Sequence, residues 1–169
     1  MLNAEGNTLY NAKGKQVPSR PELNKEMIKY SVMQSSVSNV DEDSLSDLAS
    51  DVADVYEDWF DGYQLAKKLD NRHGWGVDSM FVEDMESVIH EIGNTLRLAE
   101  KDWCTAYSPL PPFPVGSTLL VRGKLGVITG LYDYHPCCYA VRMNDEPEES
   151  TTRQIIKFEW AVLADGDKQ

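Results

Sequence analysis

Carboxylates are the residues in this chain whose spacing suggests chemistry. Asp43, Asp47, Asp51, Asp54, Asp58 and Asp61 recur every three or four positions. On one helix, with about 5.4 Å per turn, they would form a single stripe. Like charges at that spacing repel, and hardly any lysine or arginine is interleaved to offset them. Aspartate is also a poorer helix former than glutamate. A destabilising row of one sign is expected to serve binding. Such a row could stand in for a phosphate backbone and occupy a basic nucleic-acid channel on another protein. The plainer alternative is a solvated helix face.

Catalytic arrangements have thinner support. Glu57 and Asp58 on a first helix, with Glu83 and Glu86 on a second, resemble a MazG-like nucleotide pyrophosphohydrolase. That resemblance implies carboxylates converging from facing helices to hold Mg²⁺ over a phosphate chain. Asp58 stands where that pattern has glutamate, and Glu86 where it has aspartate. His135, Cys137, Cys138 and Cys104 offer zinc-binding atoms, but without finger spacing. Glu86 and His90, four apart, suit either a metal or an ordinary helix surface. No nucleophile elbow, phosphate-binding loop or dinucleotide fingerprint occurs. The expectation is therefore a non-enzyme with no cofactor and no metal.

The net charge is −12. Residues 41–107 hold five basic and seventeen acidic side chains, so that segment alone carries it. A nucleic-acid binder normally shows a basic footprint. Direct nucleic-acid binding is not expected, and a protein partner with a basic surface is. No apolar run reaches the roughly 18 residues a membrane span needs, and residues 1–21 show no signal-peptide pattern. Three cysteines, two of them adjacent, do not read as a disulfide framework. A cytoplasmic location is expected on that ground.

The elements that must position these residues follow from periodicity. Leu45, Leu48, Val52, Val55, Tyr56, Trp59, Tyr63 and Ala66 trace one helical face, which Asp43 or Ser44 can cap. Residues 71–76 break that helix. Phe81, Met85, Val88, Ile89, Ile92, Leu96, Ala99 and Trp103 trace a second, starting at Asp78 or Ser79. The two should pack as an antiparallel hairpin, with Trp59 and Trp103 buried between them. Four prolines within residues 109–114 form a stiff linker. Beyond it the period falls to two, with strands around 118–122, 127–132, 138–143 and 155–160.

Pro114-Val115-Gly116, a strand ending in Val121-Arg122-Gly123, Gly126-Val127-Ile128-Thr129-Gly130 and Tyr139-Ala140-Val141-Arg142-Met143 resemble an SH3-like barrel of the KOW or Tudor kind. Residues 159–163 would supply the closing turn and last strand. The resemblance implies five strands and a binding or structural role. In such barrels loop aromatics often form a peptide- or cation-binding cleft, which here would use Tyr132, Tyr134 and Tyr139 beside His135. Arg122, Lys124, Arg142 and Arg153 would make a modest basic face.

The expected architecture is thus α+β. A polar, partly flexible arm (1–42) precedes an acidic helical hairpin (43–107), a linker (108–114), a five-stranded SH3-like barrel (115–164) and a tail (165–169). A short helix from Pro21 to about Met33 is compatible with Leu23, Met27 and Tyr30. The expected function is a protein-interaction module. It would resemble in style a phage or mobile-element inhibitor, a DNA mimic acting on a host nucleic-acid-handling protein. The expected binding residues are Asp47, Asp51, Asp54, Asp58, Asp61, Tyr132 and Tyr134. The hydrolase and a structural or assembly subunit are the alternatives.

Overall fold

The computed structural model describes residues 6–166, so the first five residues of the arm and the last three of the tail lie outside it. Two compact units divide the chain: Pro21–Ala99, and the remainder on either side. The second unit therefore joins residues 6–20 to residues 100–166. The arm is not one body, because its residues are shared between the units.

The helical unit contains α1 (Lys25–Gln34), α2 (Glu42–Val55), α3 (Gly62–His73) and the start of α4, a helix spanning Ser79–Tyr107. Local chemistry sets each start. The side chains of Asn24, Asp41 and Asp78 accept from the backbone N–H groups of Met27, Ser44 and Phe81 at 2.9, 2.8 and 2.7 Å. Asp61 and Gln64 form a reciprocal capping box at the head of α3. The apolar faces meet in a core built on Val32, Leu48, Val52, Leu65, Leu69 and Met85.

A two-helix hairpin is therefore overturned. The apolar spacing through Tyr56 and Trp59 continues past Val55, but the backbone leaves the helix at residues 56–61 and restarts at the Asp61 cap. The restart brings the head of α3 against α4. A Cβ on Gly62 would lie 2.6 Å from the Val82 carbonyl oxygen and 2.8 Å from the Glu86 backbone nitrogen. Only glycine fits there without displacing backbone.

The sheet unit is built on four antiparallel strands in chain order: β1 (Thr118–Val121), β2 (Lys124–Leu131), β3 (Cys138–Met143) and β4 (Gln154–Lys157). Arg122 and Gly123 both take positive φ between β1 and β2, the requirement of a tight two-residue hairpin. Leu119, Val121, Ile128, Tyr139, Val141 and Met143 face the interior, where Leu9, Val17, Trp103 and Phe158 complete the core. The sheet is a half-barrel. The expected fifth strand is overturned: residues 158–160 form a single 3-10 turn, and the rest of that segment contributes one bridge, Leu163 to Leu119.

Candidate functional site

The acidic stripe does not form a single row. Asp47, Asp51 and Asp54 lie on α2, Asp58 lies in the 56–61 loop, and Asp61 caps α3. Asp51 is half-buried and accepts from the Trp75 indole at 2.8 Å. His73 sits 3.4 Å from Asp51 and 3.3 Å from Asp54. Two of the five aspartates thus have internal partners, and a third serves a helix start. Asp47 and Asp58 are exposed. Burial, then the charge of Asp58, pushes the Tyr56 hydroxyl above its ordinary pKa.

The loop supplies a residue that periodicity placed in the core. Trp59 is 65 % exposed, and its ring meets Phe60 edge-on at 4.6 Å. Tyr63 is also exposed, with the Lys67 ammonium 5.8 Å from its ring centre. An exposed tryptophan is thereby flanked by Glu57, Asp58 and Asp61. Trp103 is buried as expected, but its partners belong to the sheet core instead of a helical hairpin.

The hydrolase residues do not assemble. Glu57 and Asp58 sit in the loop instead of on a helix, and Glu86 accepts from the Gly62 backbone N–H at 2.6 Å. Among the described residues no three His, Cys, Asp or Glu side chains are grouped to hold a metal. An open depression of about 680 Å³ near the end of α1 is bordered by Gln34, Ser36, Glu86, His90 and Glu91.

In the sheet unit, sequence reasoning missed a buried charged cluster. Arg20 donates through Nε to Glu159 at 2.6 Å, and through its terminal nitrogens to the carbonyls of Pro136 and Cys137 at 2.8 Å each. Its guanidinium also lies 4.9 Å from the Trp103 ring centre. Glu100, equally buried, takes the Lys157 ammonium at 3.0 Å. Cys104 and Cys137 form a disulfide, which the odd count and the adjacent pair do not suggest. Cys138 is free and buried, and burial pushes its thiol above its ordinary pKa. No local signal marks these partners, since Arg20 and Glu159 are 139 residues apart.

The β2–β3 connection carries Tyr132, Tyr134 and His135. Tyr132 contacts Tyr134 at 5.6 Å and stacks on His135 at 5.7 Å, while Tyr134 is 79 % exposed. Tyr139 does not join them. It is wholly buried, and its hydroxyl donates to the Phe113 carbonyl. Of the basic residues, Lys124 pairs with Asp145 at 2.6 Å, which holds that carboxyl below its usual range. Arg153 donates to Thr129 Oγ1 and to the carbonyls of Ser150 and Thr152.

No family model, curated protein or solved structure matches this chain. No helix among the described residues is long and apolar enough to cross a membrane.

Proposed function

We propose that the chain is a non-catalytic interaction module whose helical unit engages a basic protein surface through the acidic loop at residues 56–61. The observation that carries this reading is Trp59, held 65 % exposed between Glu57, Asp58 and Asp61. Tryptophan is the residue type most enriched among interface anchors, because it buries a large area when a partner closes over it. The surrounding carboxylates would steer a cationic surface toward it and disfavour acidic competitors. This reading places the contact in the loop instead of along a continuous row of aspartates, because those residues are divided between α2, the loop and the α3 cap. The Cys104–Cys137 bond weighs against the reducing cytosol suggested by the cysteine count, because disulfides persist in oxidising compartments.

The test is affinity capture from a cell lysate with the native chain, a Trp59→Ser variant and an Asp47→Asn/Asp54→Asn/Asp58→Asn variant, at low and high salt. A protein retained by the native chain, eluted by salt and lost with both variants supports the reading. Identical retained proteins for all three chains would remove it.

A further inference from the structure

A second binding surface lies on the outer face of the sheet, and it centres on Arg142. Strand register fixes its surroundings. Leu119, Gly126, Ile128 and Val141 share the inner face, so the alternate residues point outward. Arg142 on β3 is directly opposite Val127 on β2, and Leu120 on β1 is directly opposite Leu125. Val162 extends that row, since its carbonyl accepts from the Leu120 N–H. Leu120, Leu125 and Val162 are each more than 40 % exposed. An apolar strip therefore runs beside an arginine.

Arg142 itself is unusual. Its Nε is buried and meets no hydrogen-bond partner among the described residues. A buried donor on a charged group ordinarily finds an acceptor, because leaving it unmade is costly. Arg153 reaches across β3 to Thr129 Oγ1 on β2 at 3.1 Å, so a second guanidinium lies over the same face. Among the described residues it donates to a hydroxyl and two carbonyls, with no carboxylate among them. Neither guanidinium forms an ion pair among the described residues.

We propose that this face docks a segment of a partner protein that presents a carboxylate between apolar side chains. The carboxylate would accept from Arg142 in the forked geometry that guanidinium favours, and the apolar side chains would cover Leu120, Leu125 and Val162. A protein segment suits the surface better than nucleic acid. The strip itself, Leu120, Leu125 and Val162, is aliphatic and offers no stacking platform of its own. Residues 108–169 carry six basic and eight acidic side chains, which is no footprint for a phosphate row. This surface is independent of the Trp59 loop.

The experiment is a nitrogen–proton NMR titration of the full chain. The probe is a capped Leu-Glu-Leu-Glu-Leu peptide, and its control is the same peptide with glutamine in place of glutamate. Binding should shift the Arg142 Nε–Hε signal together with the amides of Leu120, Leu125 and Val127. The glutamine control and an Arg142→Met variant should each bind at least about tenfold more weakly, the loss expected when one partner of a desolvated charge pair is removed. Arg142→Met should keep the native amide spectrum, because methionine retains the stem's packing and removes the unmatched donor. Equal affinity for the two peptides, shifts confined to other residues, no binding at millimolar peptide, or tighter binding of a single-stranded RNA decamer at these signals would each overturn the proposal.

Discussion

Glu86 on α4 accepts a hydrogen bond at 2.6 Å from the backbone N–H of Gly62, the first residue of α3. A helix start leaves its first N–H groups without intrahelical partners, and a carboxylate there also faces the positive end of the helix dipole. The Asp61–Gln64 box satisfies its share of those groups, and Glu86 satisfies Gly62. Glu86, one of the acids weighed as a metal ligand in the sequence, is thus spent on joining two helices.

This contact makes Gly62 a demanding position. In Gly62→Ala the new methyl would fall inside contact distance of the Val82 and Glu86 backbones. Relief requires α3 to shift, with an expected cost of about 1–3 kcal/mol, typical of overpacking. Glu86→Ala should cost a similar amount by leaving the N–H unmatched. Urea unfolding of the two variants checks both values. A Gly62→Ala chain as stable as the native one would show that the α3–α4 approach is looser than described.

The disulfide should matter more than any single hydrogen bond. Cys104 and Cys137 are separated by 33 residues, and in the chain-entropy account a loop of that length contributes about 4 kcal/mol. Adding a reductant, or making the Cys104→Ser/Cys137→Ser pair, should lower the melting temperature of the sheet unit. An unchanged melting curve under full reduction would contradict this.

Cys138 predicts an alkaline effect. Burial disfavours its thiolate, so the folded chain keeps the proton at pH values where the unfolded chain has released it. Above the ordinary thiol value of 9.0 the folded state therefore binds more protons, and stability falls as pH rises. Cys138→Ala should flatten that part of the stability profile. Iodoacetamide at pH 8 should label Cys138 only after unfolding, and mass spectrometry of the labelled peptide reads this directly. Rapid labelling of the folded chain would place the thiol at the surface.

The Arg20 cluster gives a further measure. Removing one partner of a buried ion pair leaves the other charge unmatched, at a usual cost of about 3–5 kcal/mol. The Arg20 and Glu159 side chains are 4 % and 16 % exposed, so Arg20→Met should fall near that range. The double change Arg20→Met/Glu159→Met should recover part of the loss. Denaturant melts of the single and double variants test it. A double variant no better than the single would mean that the carbonyl contacts of Arg20, not Glu159, dominate.

Periodicity made several elements legible. The face from Phe81 to Trp103 is one helix, the Asp78 cap lies where expected, and the alternation through residues 138–143 is a strand. The break at residues 56–61 was harder to see. Val55, Tyr56, Trp59 and Tyr63 keep helical spacing across a segment that is not helical, so apolar period hid the helix start that Asp61 and Gln64 cap. Residues 159–163 were too short a stretch to distinguish a strand from a turn with a single bridge. The contacts of Arg20, and the bond between Cys104 and Cys137, join residues distant in the chain and leave no local pattern. Tyr139, read both as the start of the 138–143 strand and as an aromatic beside the loop, belongs to the core, whereas Tyr134 is 79 % exposed.

Trp59 and Trp103 together give the sharpest test of the helical loop. Trp103 is 6 % exposed, and its indole donates to the Pro18 carbonyl at 2.9 Å. Trp103→Ala should therefore cost about 3–5 kcal/mol, as for other buried large aromatics. Trp59 is 65 % exposed, and a surface change of that kind ordinarily stays within about 0.5 kcal/mol. Trp59→Ser should melt close to the native chain while losing the captured partner. Quenching of the native fluorescence by acrylamide should also fall in Trp59→Ser, because an accessible ring has been removed, although the exposed Trp160 keeps part of the signal. Iodide should quench Trp59 less well than acrylamide does, since Glu57, Asp58 and Asp61 repel an anion at short range, and added salt should narrow that gap. A Trp59→Ser chain destabilised as strongly as Trp103→Ala would return Trp59 to the core and remove the anchor on which the proposed interface depends.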